Sequence, residues 1–116
     1  MSASRNVLIV EDEPLISMML EDFLDELGHS VAGVCDNVSD ALAAIERGGI
    51  DAAVLDVNLR GGERSFAVAD ALAAAGIVFV FASGGSGDTL PPEHAGRPTL
   101  GKPFTMEGLD AALSAL

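Results

Sequence analysis

The sequence contains no tryptophan or tyrosine, one cysteine, and six basic residues against eighteen acidic ones. Each shortage excludes something. With five phenylalanines as its aromatics, the chain must fill its core mainly with Ala, Leu, Val and Ile. A single thiol, Cys35, cannot close an internal disulfide, so a reducing, cytoplasmic setting is expected. The net charge of −12 argues against nucleic acid, whose phosphates recruit Lys and Arg, and against anionic membrane surfaces. It suits a domain that holds a cation or meets a basic partner surface. No signal-peptide pattern and no apolar run of membrane length is read.

What is present is a short chain, 116 residues and 49% hydrophobic, which suits one domain around one core. The stretch 52–56 (AAVLD) runs apolar and then ends in an acid, Asp56. Such a run reads as a strand buried on both faces. A carboxylate is costly to bury alone, so Asp56 is expected at the strand's exposed carboxyl end. In open α/β sheets ligands bind at that end.

The rest of the chain alternates in the same way. Residues 6–10 (NVLIV) form a first strand, followed by Glu11, Asp12, Glu13 and Pro14. Proline fits the first turn of a helix, and Ile16, Leu20, Phe23, Leu24 and Leu27 then recur with helical period until Gly28. Leu15, Met18 and Met19 fall beside that stripe and are expected to pack peripherally rather than to contact a partner. Residues 30–34 form a weaker second strand, with Cys35 at its end as a small buried hydrophobe. Asn37 is expected to cap a helix to Arg47 that turns Val38, Ala41, Leu42 and Ile45 inward. After the Asp56 strand comes a turn at 60–63, then a helix over 66–75 capped by Ser65 and closed by Gly76. Residues 77–82 (IVFVFA) make a fourth strand. The Gly- and Pro-rich stretch 83–96 supports at most a short helix near 90–94, where His94 reads as a surface residue. A short strand over 97–101, Lys102-Pro103, a cap at Thr105 and a last helix over 106–116 complete the chain. Strands alternating with helices predict an α/β, doubly wound, five-stranded parallel sheet. The flavodoxin-like order 2-1-3-4-5 is expected, with the fourth helix short or irregular.

That order makes strands one and three neighbours, so Glu11 and Asp12 come to lie beside Asp56. Three clustered carboxylates repel one another unless a cation is present. An all-oxygen donor set with room for water suits Mg²⁺, with Mn²⁺ an alternative. Ser83 and Lys102 end strands four and five on the same rim. Carboxylates, a metal, a hydroxyl and an ammonium together suit a phosphoryl group, with Asp56 as nucleophile.

In these residues the chain resembles the receiver domain of bacterial two-component response regulators over essentially its whole length. The resemblance rests on Glu11-Asp12, on Asp56 within LDVNL, on Ser83 within FASG, and on Lys102-Pro103-Phe104. It implies that Asp56 accepts a phosphoryl group from the phosphohistidine of a sensor histidine kinase or histidine phosphotransferase. It implies that Asp12, Asp56 and the backbone carbonyl of Asn58 ligate Mg²⁺, with Glu11 acting through water. Lys102 would pair with the phosphate, Ser83 would hydrogen-bond to it and report the change, and the Lys102–Pro103 bond would be cis.

Three positions depart from the family pattern. Thr99 stands where a switch aromatic is usual, Arg60 where a proline is usual, and the segment after strand four is short and rich in Gly and Pro. With Phe81-Ala82-Ser83-Gly84-Gly85, these features resemble the single-domain "FAT GUY" receivers of alphaproteobacteria, although Ser83 replaces that motif's threonine and Gly85 lies near the place of its aromatic. The expectation is a receiver spanning 1–116 with no effector domain, monomeric or weakly dimeric. It would signal through a downstream protein or drain phosphate from a kinase, with no catalysis beyond its own phosphorylation and dephosphorylation. Two alternatives compete. A pseudo-receiver would bind partners without phosphorylation, which the acid pair, Asp56 and Lys102 argue against. An aspartate-nucleophile phosphohydrolase would need a second Asp two residues after its nucleophile on strand one, and Asp12 is followed by Glu13 and Pro14.

Overall fold

The computed structural model describes residues 4–59, 62–83, 99–101 and 105–116. Five strands form one parallel sheet: β1 (Asn6–Val10), β2 (Ser30–Cys35), β3 (Ala52–Asp56), β4 (Val78–Ser83) and β5 (Thr99–Gly101). Their order is β2-β1-β3-β4-β5, the flavodoxin-like order expected from the sequence. Among the described residues there are four helices: α1 (Pro14–Glu26), α2 (Val38–Arg47), α3 (Phe66–Ala74) and α4 (Met106–Ser114).

Successive residues of a strand point to opposite faces, and this splits the core into two layers. On one face Leu8, Val10, Ala53, Leu55, Phe79 and Phe81 pack against α2 and α3. On the other, Val7, Ile9, Ala52, Val54, Val80 and Ala82 pack against α1 and α4. β3 lies in the middle and is buried at every position. β2 lies at an edge and alternates between exposed and partly buried residues.

The stripe on α1 behaves as its period predicts. Leu20 and Leu24 are buried, and Ile16, Phe23 and Leu27 pack beside them. Met19 also joins the core margin, whereas Leu15 and Met18 are 81% and 58% exposed. Gly28, at φ 85°, ends the helix by letting its own N–H and that of His29 reach back to the carbonyls of Asp25 and Leu24. Gly76 closes α3 in the same manner.

Several boundaries differ from the sequence expectation by a residue or two. β2 continues to Cys35, which is buried. β4 runs 78–83 rather than 77–82, because the Ile77 N–H is taken by the Leu72 carbonyl at the end of α3. The last helix stops at Ser114. On α2 the buried residues are Ala41 and Ala44, with Leu42 half-buried. Ser65 does not cap α3 with its side chain. Its backbone is turned to φ −82°, ψ 10°, and the hydroxyl instead donates to the Val57 carbonyl at 3.4 Å. The expected features at Arg60, Arg97, His94 and the short helix near 90–94 lie outside the described residues.

Candidate functional site

The carboxyl ends of β1 and β3 sit side by side, with Val10 opposite Leu55 in the register. The residues that follow, Glu11 and Asp56, therefore emerge together. Glu11 is held from both directions. Its N–H donates to the Cys35 carbonyl at 2.9 Å, which continues the pairing with β2. Its carboxylate accepts the N–H groups of Asp12 at 3.0 Å and Glu13 at 3.3 Å. Such bonds compensate a charge that is 97% removed from solvent, since its exposure is 3%. They also turn the chain toward Pro14, where α1 starts.

Asp56 is 8% exposed, and Asp12 is half-buried. One carboxylate oxygen from each of Glu11, Asp12 and Asp56 lies within 4.8 Å of the others. The predicted acid cluster is thus assembled from two strand ends 45 residues apart in the chain. Beside it opens a depression of about 310 Å³ lined by Glu11, Asp12, Pro14, Ser17, Val34 and Asp36.

The donor set passes the chemical test for a hard cation. Every clustered donor is a carboxylate oxygen, and the number is small enough to leave positions for water, as Mg²⁺ requires. Cys35 is not part of this cluster. Burial, with Asp40 nearby, pushes its thiol above the ordinary value of 9.0, so it stays protonated at neutral pH.

Past Asp56 the chain leaves the sheet in a tight reversal. The Val57 N–H still reaches the Ala82 carbonyl of β4 at 3.2 Å. Asn58 then pairs antiparallel with Arg64. Leu59 donates to the Glu63 carbonyl at 2.7 Å, and Ser65 donates to the Val57 carbonyl at 3.1 Å. Asn58 is exposed on this rim, two residues beyond Asp56. The Glu63 side chain, unassigned by sequence reasoning, accepts the Val38 N–H at the start of α2 at 2.9 Å.

Across the sheet, Asp56 stands opposite Ala82, so Ser83 ends β4 one residue further along the same rim. Ser83 pairs with Gly101 of β5, the residue before Lys102. Lys102 and the Lys102–Pro103 bond lie outside the described residues. Thr99, which stands where the family usually has an aromatic, is exposed and opposite Phe81. Phe81 is fully buried and meets Phe66 edge-on at 6.2 Å between ring centres.

Comparison with known proteins agrees with this geometry. The transcriptional regulatory protein TcrA of Mycobacterium tuberculosis (strain ATCC 25618 / H37Rv) is 36% identical over 115 residues, covering 95% of this chain and 45% of TcrA. The chain therefore spans less than half the length of that relative. SdrG from Sphingomonas melonis Fr1 is 61% identical; the match covers 99% of this chain and 98% of that one, with a TM-score of 0.88. SdrG in its BeF3-activated conformation, from Pseudomonas melonis Fr1, matches over the same shares at the same identity, with a TM-score of 0.83. The response regulator receiver domain family matches residues 7–83, which contain the three clustered acids and, but for Asn6, the strands from β1 to β4. With that match, the parallel sheet in the order β2-β1-β3-β4-β5 and the acids at its carboxyl rim, the chain belongs to the response regulator receiver domain family.

Proposed function

We propose that the chain is a phosphoacceptor in which Asp56 takes a phosphoryl group from the phosphohistidine of a sensor histidine kinase or histidine phosphotransferase. The observation that carries this reading is the approach of the Glu11, Asp12 and Asp56 carboxylates to within 4.8 Å at adjacent strand ends. An Asp56 oxygen attacks phosphorus, the P–O bond forms as the P–N bond breaks, and the departing imidazole takes up a proton from solvent. Asp12, Asp56 and the Asn58 carbonyl would hold Mg²⁺, or Mn²⁺, with Glu11 acting through water. The bound ion would neutralise charge on the equatorial phosphoryl oxygens.

The chain's own residues do the rest. Glu11, fixed by two backbone N–H groups, keeps the loop after β1 turned toward Asp56. Ser83 is assigned the hydrogen bond to a phosphoryl oxygen, and Lys102 the charge pairing. The register supports these roles, since Ser83 follows the residue opposite Asp56 and Gly101 stands opposite Ser83.

The similarity to SdrG supports the same reading, because that relative adopts a BeF3-activated conformation. Residues 1–116 then act as one receiver domain, catalysing no more than their own phosphorylation and dephosphorylation. Output passes through contact with a partner protein or through withdrawal of phosphate from a kinase. Among the described residues no helix is long and apolar enough to cross a membrane, and a cytoplasmic role fits.

The deciding experiment is Mg²⁺-dependent labelling by a phosphohistidine donor. Labelling is expected for the wild type and absent for Asp56→Asn and in EDTA. A label that persists on Asp56→Asn would sink the proposal.

A further inference from the structure

We propose that Glu63 is a positioning residue for the acidic site, tying the loop that carries Asn58 to the first turn of α2. This rests on the reading of Asp12, Asp56 and Asn58 as the metal site.

Glu63 is fastened at two points. Its backbone carbonyl accepts the Leu59 N–H at 2.7 Å. Its carboxylate accepts the Val38 N–H at 2.9 Å, across 25 positions of sequence. The Leu59 bond and the Ser65-to-Val57 bond lie on either side of the Asn58–Arg64 pairing. The described parts of the loop therefore form a short two-stranded brace, with Asn58 on one side and Glu63 on the other.

The far end of the tie has its own physical reason. The first N–H groups of a helix have no partner within it. In α2 the Asn37 side chain takes the Asp40 N–H at 2.8 Å. Of the remaining first-turn N–H groups, those of Val38 and Ser39, Glu63 takes the Val38 N–H. A carboxylate at this place also faces the positive end of the helix dipole. An exposed glutamate, which would otherwise sample many rotamers, is thus held in one position.

The consequence is coupling. A cation drawing on the Asn58 carbonyl displaces or stiffens the brace, and the brace ends on Glu63. The effect then arrives at the first amide of α2, on the face of the sheet opposite α1 and α4. Coupling of this kind is reciprocal, so the cap on α2 also pre-orders the loop for the ion. It gives a path from Asp56 to the surface that does not use position 99, where the sequence has Thr99.

The test uses the full chain and Mg²⁺ alone, titrated by calorimetry into the wild type, Glu63→Gln and Glu63→Ala. Both variants lose one negative charge, and Gln keeps a side-chain oxygen that can accept from Val38. Glu63→Ala is expected to bind Mg²⁺ roughly three- to tenfold more weakly than Glu63→Gln, the size of one lost hydrogen bond. Hydrogen exchange at the Val38 amide is expected to slow with Mg²⁺ in the wild type and Glu63→Gln, and not in Glu63→Ala. Equal affinities for the two variants overturn the proposal, as does a Val38 amide in the wild type that ignores Mg²⁺. Asp12→Asn separates the two levels. If Asp12→Asn abolishes Mg²⁺ binding while the Glu63 variants agree, the tie alone is wrong. If Asp12→Asn binds as the wild type does, the metal site is wrong and the tie falls with it.

Discussion

Helices α1 and α2 both begin at the acidic rim, on opposite faces of the sheet, yet they are anchored by different means. α1 starts at Pro14 with no side-chain cap and buries the large Leu20 and Leu24. α2 buries the small Ala41 and Ala44, and its first turn is held by Asn37 and Glu63. One helix is secured by apolar volume along its length, the other by hydrogen bonds at its tip. The difference bears on function. The start of α1 leaves Leu15 exposed beside the acids, whereas the start of α2 is bonded to the loop after Asp56.

The largest way to break this contrast is Leu24→Ala. Leu24 is fully buried, so removing it should cost about 2–5 kcal/mol through lost burial and the cavity left behind. Urea unfolding measures it, and a cost below about 1 kcal/mol would show that α1 does not depend on its volume. Asn37→Ala should have a smaller effect, about 1 kcal/mol, because it removes the cap on Asp40 while leaving the core of α2 in place. The same unfolding curves report it; a stability equal to the wild type would show that the tip of α2 needs no such bond. The double change Leu15→Ser and Met18→Ser should alter stability by no more than about 0.5 kcal/mol, since both side chains stand mainly in solvent. A clear loss of melting temperature would mean that this face of α1 packs against something after all.

Legibility followed the range of the interaction concerned. The strands could be read because a run such as Val7 to Val10 is apolar on both faces, and only a central strand requires that. The Asn37 cap was legible because its partner, Asp40, is three residues away. Ser65 looked like an equivalent cap and is not one, since the return of its own N–H to Val57 fixes a backbone angle that turns the hydroxyl elsewhere. Glu63 gave no signal at all. It is one acid among eighteen Asp and Glu residues, and its partner is a backbone N–H that any sequence could offer.

The acidic site divides along the same line. The sequence alone determined the identity of the acids after β1 and β3, the apolar runs that end in them, and the alternation that demands a parallel sheet. Those are local facts of residue type and period. Tertiary structure decided that β1 and β3 are neighbours, and so that Glu11, Asp12 and Asp56 come within 4.8 Å of one another. It also decided that a glutamate past Asp56 reaches the tip of α2. The physical reason is that strand order and loop docking depend on contacts distant in the chain, which no short window of residues encodes.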